Sequence, residues 1–191
     1  DNISDQPAGA MRQAHLATIE NRADDAEAWI QKAVDWDPSS AMPYHQLGRI
    51  QFANHKHAEA LSNLYAAAMM EVENAEFSYS LALAFAETGY KQLALQWLEE
   101  TVRRDERFGR AWYNLGLAHA ENGNLPTAIE ALKKAQSLMP QNGDAAYARA
   151  TLHAREGRPA EAYAAAREAL EADSGHQAAQ SMLRSLRINT P

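Results

Sequence analysis

Small and large apolar residues recur along the chain with a helical period that is broken at regular intervals. Between residues 109 and 142, Trp112, Leu115, Gly116 and His119 fall at i, i+3, i+4 and i+7, one face of a helix with a backbone-sized notch in it. Gly123 then supplies the positive φ that a helix C-terminus favours. Pro126 opens a second helix, where its missing N–H costs little. Ala128, Leu132 and Ala135 form the inner stripe of that helix, and Pro140 closes the stretch. No segment carries the period-2 alternation of valine and isoleucine that marks a strand. The pattern predicts pairs of antiparallel helices and nothing else.

The pairs repeat every 34 residues. Ala26, Ala60, Ala94, Ala128 and Ala162 share one column. Twelve positions earlier stand Ala14, Gly48, Ala82, Gly116 and Ala150, all small enough for two helix axes to approach closely. Four positions after the alanine column come Ile30, Leu64, Leu98, Leu132 and Ala166. Gly89 and Gly157 repeat the turn of Gly123, while Asn21 and His55 stand at the same place in the first two units. Asparagine tolerates the left-handed region; histidine does so less readily, which predicts a looser turn there.

Trp112-x2-Leu115-Gly116-x2-His119, followed by Ala128-x3-Leu132 and Pro140, resembles the tetratricopeptide repeat, with His119 and Leu132 in place of the motif's usual aromatics. The frame gives five units at 7–40, 41–74, 75–108, 109–142 and 143–176, after an N-terminal extension at 1–6. The first and last units are the most degenerate: Ala10 and Gln13 replace a large aromatic and a leucine, and Arg149 stands in the leucine column. End units that face solvent on one side are expected to drift in this way. Residues 177–191 read as a capping helix and tail, with Ala179, Met182, Leu183 and Leu186 on the apolar side and Gln180, Arg184 and Arg187 off it. An independent membrane-surface helix fits less well, because the polar side has two cations and the apolar side no aromatic. The resemblance implies an all-α fold, an α–α superhelix forming a right-handed solenoid of five helix pairs plus the cap. It also implies a concave face lined by the first helix of each pair, which receives peptide segments of other proteins.

Composition narrows the chemistry. Forty alanines in 191 residues support helix throughout. A net charge of −7 disfavours a nucleic-acid partner, since phosphate binding needs a basic surface. The absence of cysteine removes disulfides, thiolate metal sites and thiol nucleophiles together. No apolar run is long enough to span a bilayer, and no basic-then-apolar leader opens the chain. These features point to a soluble protein, cytoplasmic or periplasmic. Catalytic motifs (GxSxG, P-loop, HExxH, dinucleotide fingerprint) are missing, so no enzyme, cofactor or metal is expected. His55-x-His57 offers two imidazoles at a turn, too few for a strong site. His119 and His153 share a column where the motif prefers an aromatic and are expected to pack between helices.

The resemblance places candidate groove residues on the first helices: Met11, His15, His45, Arg49, Phe52, Glu76, Tyr79, Leu83, Arg110, Tyr113, Leu117, Glu121 and Tyr147. Tyr79, Tyr113 and Tyr147 form a column of rigid aromatic faces with hydrogen-bonding tips, suited to recognition or simply to packing. His15, His45 and Arg49 lie towards one end, and Glu76, Glu87, Glu121 and Asp144 towards the other. The lysine–asparagine–arginine clamp that some members use to grip chaperone tails is not reproduced at the matching positions. Trp112 is the motif's own core residue, and Trp36 is expected to pack at the end of the first unit. Trp29 and Trp97 share a second-helix column and either shield junctions or form a convex patch for self-association. The expected function is a non-enzymatic scaffold that binds a peptide segment of a partner protein. The alternative, suggested by a start at Asp1 rather than Met, is a structural or oligomerisation module of a larger multidomain protein.

Overall fold

The computed structural model describes residues 6–188. Their backbone is wholly helical and turn: α1 (Pro7–Ile19), α2 (Ala23–Trp36), α3 (Ala41–Ala53), α4 (His57–Met70), α5 (Ala75–Glu87), α6 (Lys91–Arg104), α7 (Gly109–Glu121), α8 (Leu125–Leu138), α9 (Asp144–Arg155), α10 (Pro159–Ala172) and α11 (Gln177–Ile188). The fold is an all-α helical-repeat solenoid, with no strand among the described residues. Residues 1–5 of the expected N-terminal extension and 189–191 of the expected tail lie outside the described residues; Gln6 is the N-cap of α1. The chain packs as two units, Asp1–Glu100 and Thr101–Pro191, with the boundary inside α6.

Each intra-pair turn is built the same way. In the pair α7/α8, Gly123 has φ 76°. Its N–H donates to the Ala120 carbonyl at 3.1 Å, and the Asn124 N–H reaches back to the His119 carbonyl at 2.9 Å. These two bonds satisfy carbonyls that the last helical turn leaves open. Asn21 and His55 adopt the same left-handed conformation at φ 57° and 60°, and the return bond persists, Lys56 N–H to the Gln51 carbonyl at 2.9 Å. The His55 turn is therefore not looser in its bonding. The histidine accepts a backbone region that costs a side-chain-bearing residue roughly 1–2 kcal/mol.

The small columns explain how the helices of a pair approach. A Cβ placed on Gly116 would lie 2.6 Å from Leu132 Cγ and 3.1 Å from the Ala128 carbonyl oxygen. Gly48 meets Leu64 Cγ and the Ala60 carbonyl oxygen in the same way, at 2.7 and 3.0 Å. All five residues of the alanine column are buried. In the first unit the core gathers Ala41, Leu64, Ala67, Phe77 and Leu81, with Trp97 packed against it. A neighbouring cluster of Ala14, Ile30, Val34 and Leu47 is covered by Trp29. Both tryptophans thus shield junctions between helix pairs. Trp36 does not: it is the last residue of α2, two residues beyond Val34 of the core, and remains 43% exposed. In the second unit Trp112 is half-buried and donates its indole N–H to the Glu106 carbonyl at 2.9 Å.

Arg149, in the leucine column, is buried between α8, α9 and α10 and bonded to Gln136 and Glu168. The guanidinium that replaces a leucine there donates through Nη2 to both partners, while its buried Nε has no hydrogen-bond partner, so the site is only partly compensated. On the far side of α10, α11 buries Ala179 against Ala146 and Ala169, and Met182 and Leu183 pack on Ala150, Ala165 and Ala166. The position that is glycine or alanine in each preceding first helix is Arg184 in α11.

Candidate functional site: the first-helix faces

In the unit Asp1–Glu100, α1, α3 and α5 present a continuous strip with two adjoining clefts. One, of about 520 Å³, lies between α1 and α3 and is lined by Met11, Ala14, His15, Thr18, Gln46, Arg49, Ile50 and Ala53. The other, of about 220 Å³, lies between α3 and α5 and is lined by Arg49, Phe52, Ala53, Leu64, Ser80, Leu83, Ala84 and Glu87. Arg49 and Ala53 belong to both. Of the expected groove residues, Met11, His15, Arg49, Phe52 and Leu83 meet here.

Two others do not face open space. His45 is 4% exposed: its Nε2 lies 2.8 Å from Ser80 Oγ, and its ring rests on Phe77 at 4.6 Å between centroids. Burial, aided by the positive charge of Arg49, drives its pKa down to about 4, so the ring is neutral at pH 7. Tyr79 is 6% exposed. His45 thus ties α3 to α5 through Ser80 and Phe77, and both it and Tyr79 are buried rather than open to solvent. Glu76 is exposed in the first turn of α5, which is capped by Asn74 Oδ1, and lines neither cleft.

In the unit Thr101–Pro191, Tyr113 and Tyr147 are half-buried on α7 and α9. The Tyr113 hydroxyl is pushed above its usual range by burial and then by the nearby carboxylate of Asp144. Tyr147 lies against the His176 ring at 4.9 Å. His176 Nε2 is 3.3 Å from Asp144 Oδ1, while its Nδ1 accepts the Ala179 N–H at 3.2 Å and caps α11. Tyr113, Asp144, Tyr147 and His176 therefore form one cluster. His176 is not among the expected site residues; its column, Ser40, Asn74, Phe108 and Asn142, lies just ahead of the first helices and is mostly polar, a partial signal. Arg110 is exposed, with its guanidinium 5.1 Å from the Phe108 ring centroid. Leu117 is half-buried and Glu121 exposed on α7.

No group of three or more histidine, aspartate or glutamate side chains suited to a metal occurs among the described residues. His55 and His57 are exposed, with ring centroids 6.0 Å apart. No helix among the described residues is long and apolar enough to cross a membrane.

Family models of the tetratricopeptide repeat match residues 45–106 and 109–142, together just over half of the chain. The chain belongs to the tetratricopeptide repeat family. Solved structures agree in fold. MamA from Desulfovibrio magneticus RS-1 superposes with a TM-score of 0.80 at 19% identity, over 90% of this chain and 97% of that one. YrrB, described as a TPR protein with an unusual peptide-binding site, gives 0.76 at 23% identity over 96% and 94%. A tetratricopeptide repeat protein from Parabacteroides merdae ATCC 43184 gives 0.82 at 17% identity over 95% and 72%. Comparison with curated protein sequences gives no match. Tetratricopeptide repeats are protein-interaction scaffolds rather than catalytic folds, and in this member the first helices carry both clefts and the tyrosine cluster.

Proposed function

We propose that this tetratricopeptide chain is a non-enzymatic module, five repeats at 7–40, 41–74, 75–108, 109–142 and 143–176 capped by α11, that holds a segment of a partner protein on its first-helix faces. The observation that carries the reading is the pair of adjoining clefts between α1, α3 and α5, open and largely apolar, with polar groups at their edges. In the unit Asp1–Glu100 the contact residues are Met11, His15, Arg49, Phe52 and Leu83. In the unit Thr101–Pro191 they are Arg110, Tyr113, Leu117, Glu121 and Tyr147. The walls of these faces are preformed, so binding orders only the incoming segment. The peptide-binding site named for YrrB supports the same use of the fold. The test is capture of the full chain on a synthetic peptide array. Phe52→Ala and Tyr147→Ala, with helix content unchanged by circular dichroism, should each reduce capture severalfold; unchanged capture removes these faces from the mechanism.

A second reading, self-association, is favoured by the outer face of α4 and α6. Tyr65 and Met69 are each 49% exposed, Leu93 is 39% exposed, and the Tyr65 ring meets Trp97 edge-on at 6.0 Å. Sedimentation equilibrium of the chain and of Tyr65→Ser/Met69→Ser decides it: a concentration-independent monomer excludes this face as a dimer contact.

A further inference from the structure

We infer that the first-helix face of the unit Asp1–Glu100 recognises an extended partner segment carrying an acidic side chain between two apolar ones. This rests on the proposed use of that face and specifies what it takes. Three observations converge. The cleft between α1 and α3 is apolar along Met11, Ala14 and Ile50, and the cleft between α3 and α5 is apolar along Phe52, Leu83 and Ala84. Arg49 stands where the two meet, the only cation common to both linings. It is exposed, and no carboxylate among the described residues pairs with it.

The neighbouring cations show the contrast: Lys56 sits 2.9 Å from Glu27, and Arg22 is bonded to Glu20 and Asp25. A free guanidinium flanked by apolar surface presents a planar fork that a carboxylate matches and an ammonium repels. Glu87 edges the α3/α5 cleft, so the acid of the segment belongs at Arg49 and not beyond the second apolar side chain. First helices of adjoining pairs lie about 10 Å apart, which is about one turn of a polyproline-type extended segment, in which side chains three apart return to the same face. The segment therefore places its apolar side chains three apart, with the acid between them.

The test uses the full chain and immobilised synthetic peptides blocked at both ends, so that only side-chain carboxylates are offered. Leucine is fixed at two positions three apart, the intervening positions are glutamate, glutamine or lysine, and the flanks are degenerate. The wild-type chain should retain the glutamate pool about tenfold over the lysine pool, with glutamine between. Arg49→Glu, a change at an exposed site, should reverse that order while leaving circular dichroism and Tm unaltered. Equal retention of all pools, or an order that Arg49→Glu leaves in place, overturns the inference while leaving peptide binding on this face intact. Failure to retain any of these pools, when the unselected array is still captured through Phe52, also overturns it. Loss of capture from the pools and the array alike removes the underlying reading of the face as well.

Discussion

His45 makes folding stability depend on pH in a calculable way. Its ring is neutral, buried between α3 and α5, and bonded to Ser80 Oγ. Its pKa is lowered from 6.5 to about 4, chiefly by burial and further by Arg49. The unfolded chain takes up a proton near pH 6.5, whereas the folded chain refuses it until near pH 4. The contribution of this residue is present above pH 6.5, declines as pH falls through that window, and is constant below it. A gap of about 2.5 units at 1.36 kcal/mol each sets a ceiling of about 3 kcal/mol, of which roughly 2.5 kcal/mol is lost between pH 7 and about pH 4.5. His45→Gln keeps a neutral hydrogen-bonding side chain facing Ser80 and removes the titration. Urea denaturation followed by circular dichroism at several pH values should show the wild-type midpoint falling more steeply than that of His45→Gln. The difference between the two curves isolates this ring from the other histidines. Coincident slopes, or an NMR titration of His45 near 6.5, would refute the argument.

Other substitutions test the packing and the turns. Gly116→Ala pushes a methyl into Leu132 Cγ and should cost about 1–2 kcal/mol in chemical denaturation, even after the helix-propensity gain of about 1 kcal/mol. His55→Gly should raise stability by about 1 kcal/mol, because φ 60° is free for glycine, and Gly123→Ala should lower it by a similar amount. Arg149→Leu, which restores the residue type of the column and removes a buried charge, should be neutral or raise stability by about 1 kcal/mol or more. Glu168→Ala alone should destabilise the chain by leaving the guanidinium short of its partner, and adding Arg149→Leu should recover the loss; Tm measurements on the single and double variants read the coupling.

The repeating architecture was legible because its causes are local. A turn needing positive φ falls every 34 residues, and the small column at Gly48 and Gly116 answers directly to the close approach of Leu64 and Leu132. Depth of burial was less legible, because it depends on what the next helix pair supplies. His45 and Met11 share a column, yet His45 is closed over by Ser80 and Phe77 while Met11 lines a cleft. Nothing in the column itself separates them. Tyr79, whose column suits either recognition or packing, is buried, while Tyr113 and Tyr147 of the same column are half-buried. His176 was missed because its role arises from three elements at once: α9 through Asp144 and Tyr147, the preceding turn, and the start of α11. Trp36, expected to pack at the end of the first unit, stays largely open because it is the last residue of α2 and projects past its partners.

The equivalence of the five turns has a consequence for how such a chain can change over generations. Asn21, His55, Gly89, Gly123 and Gly157 hold one backbone conformation at one place in an uninterrupted frame. Recombination that joins the first half of one module to the second half of another leaves the crossover geometry unaltered whichever pair is joined. Whole modules can be gained or lost in single steps without repairing a loop, so the length of the array can drift faster than the fit of any one module to its neighbour.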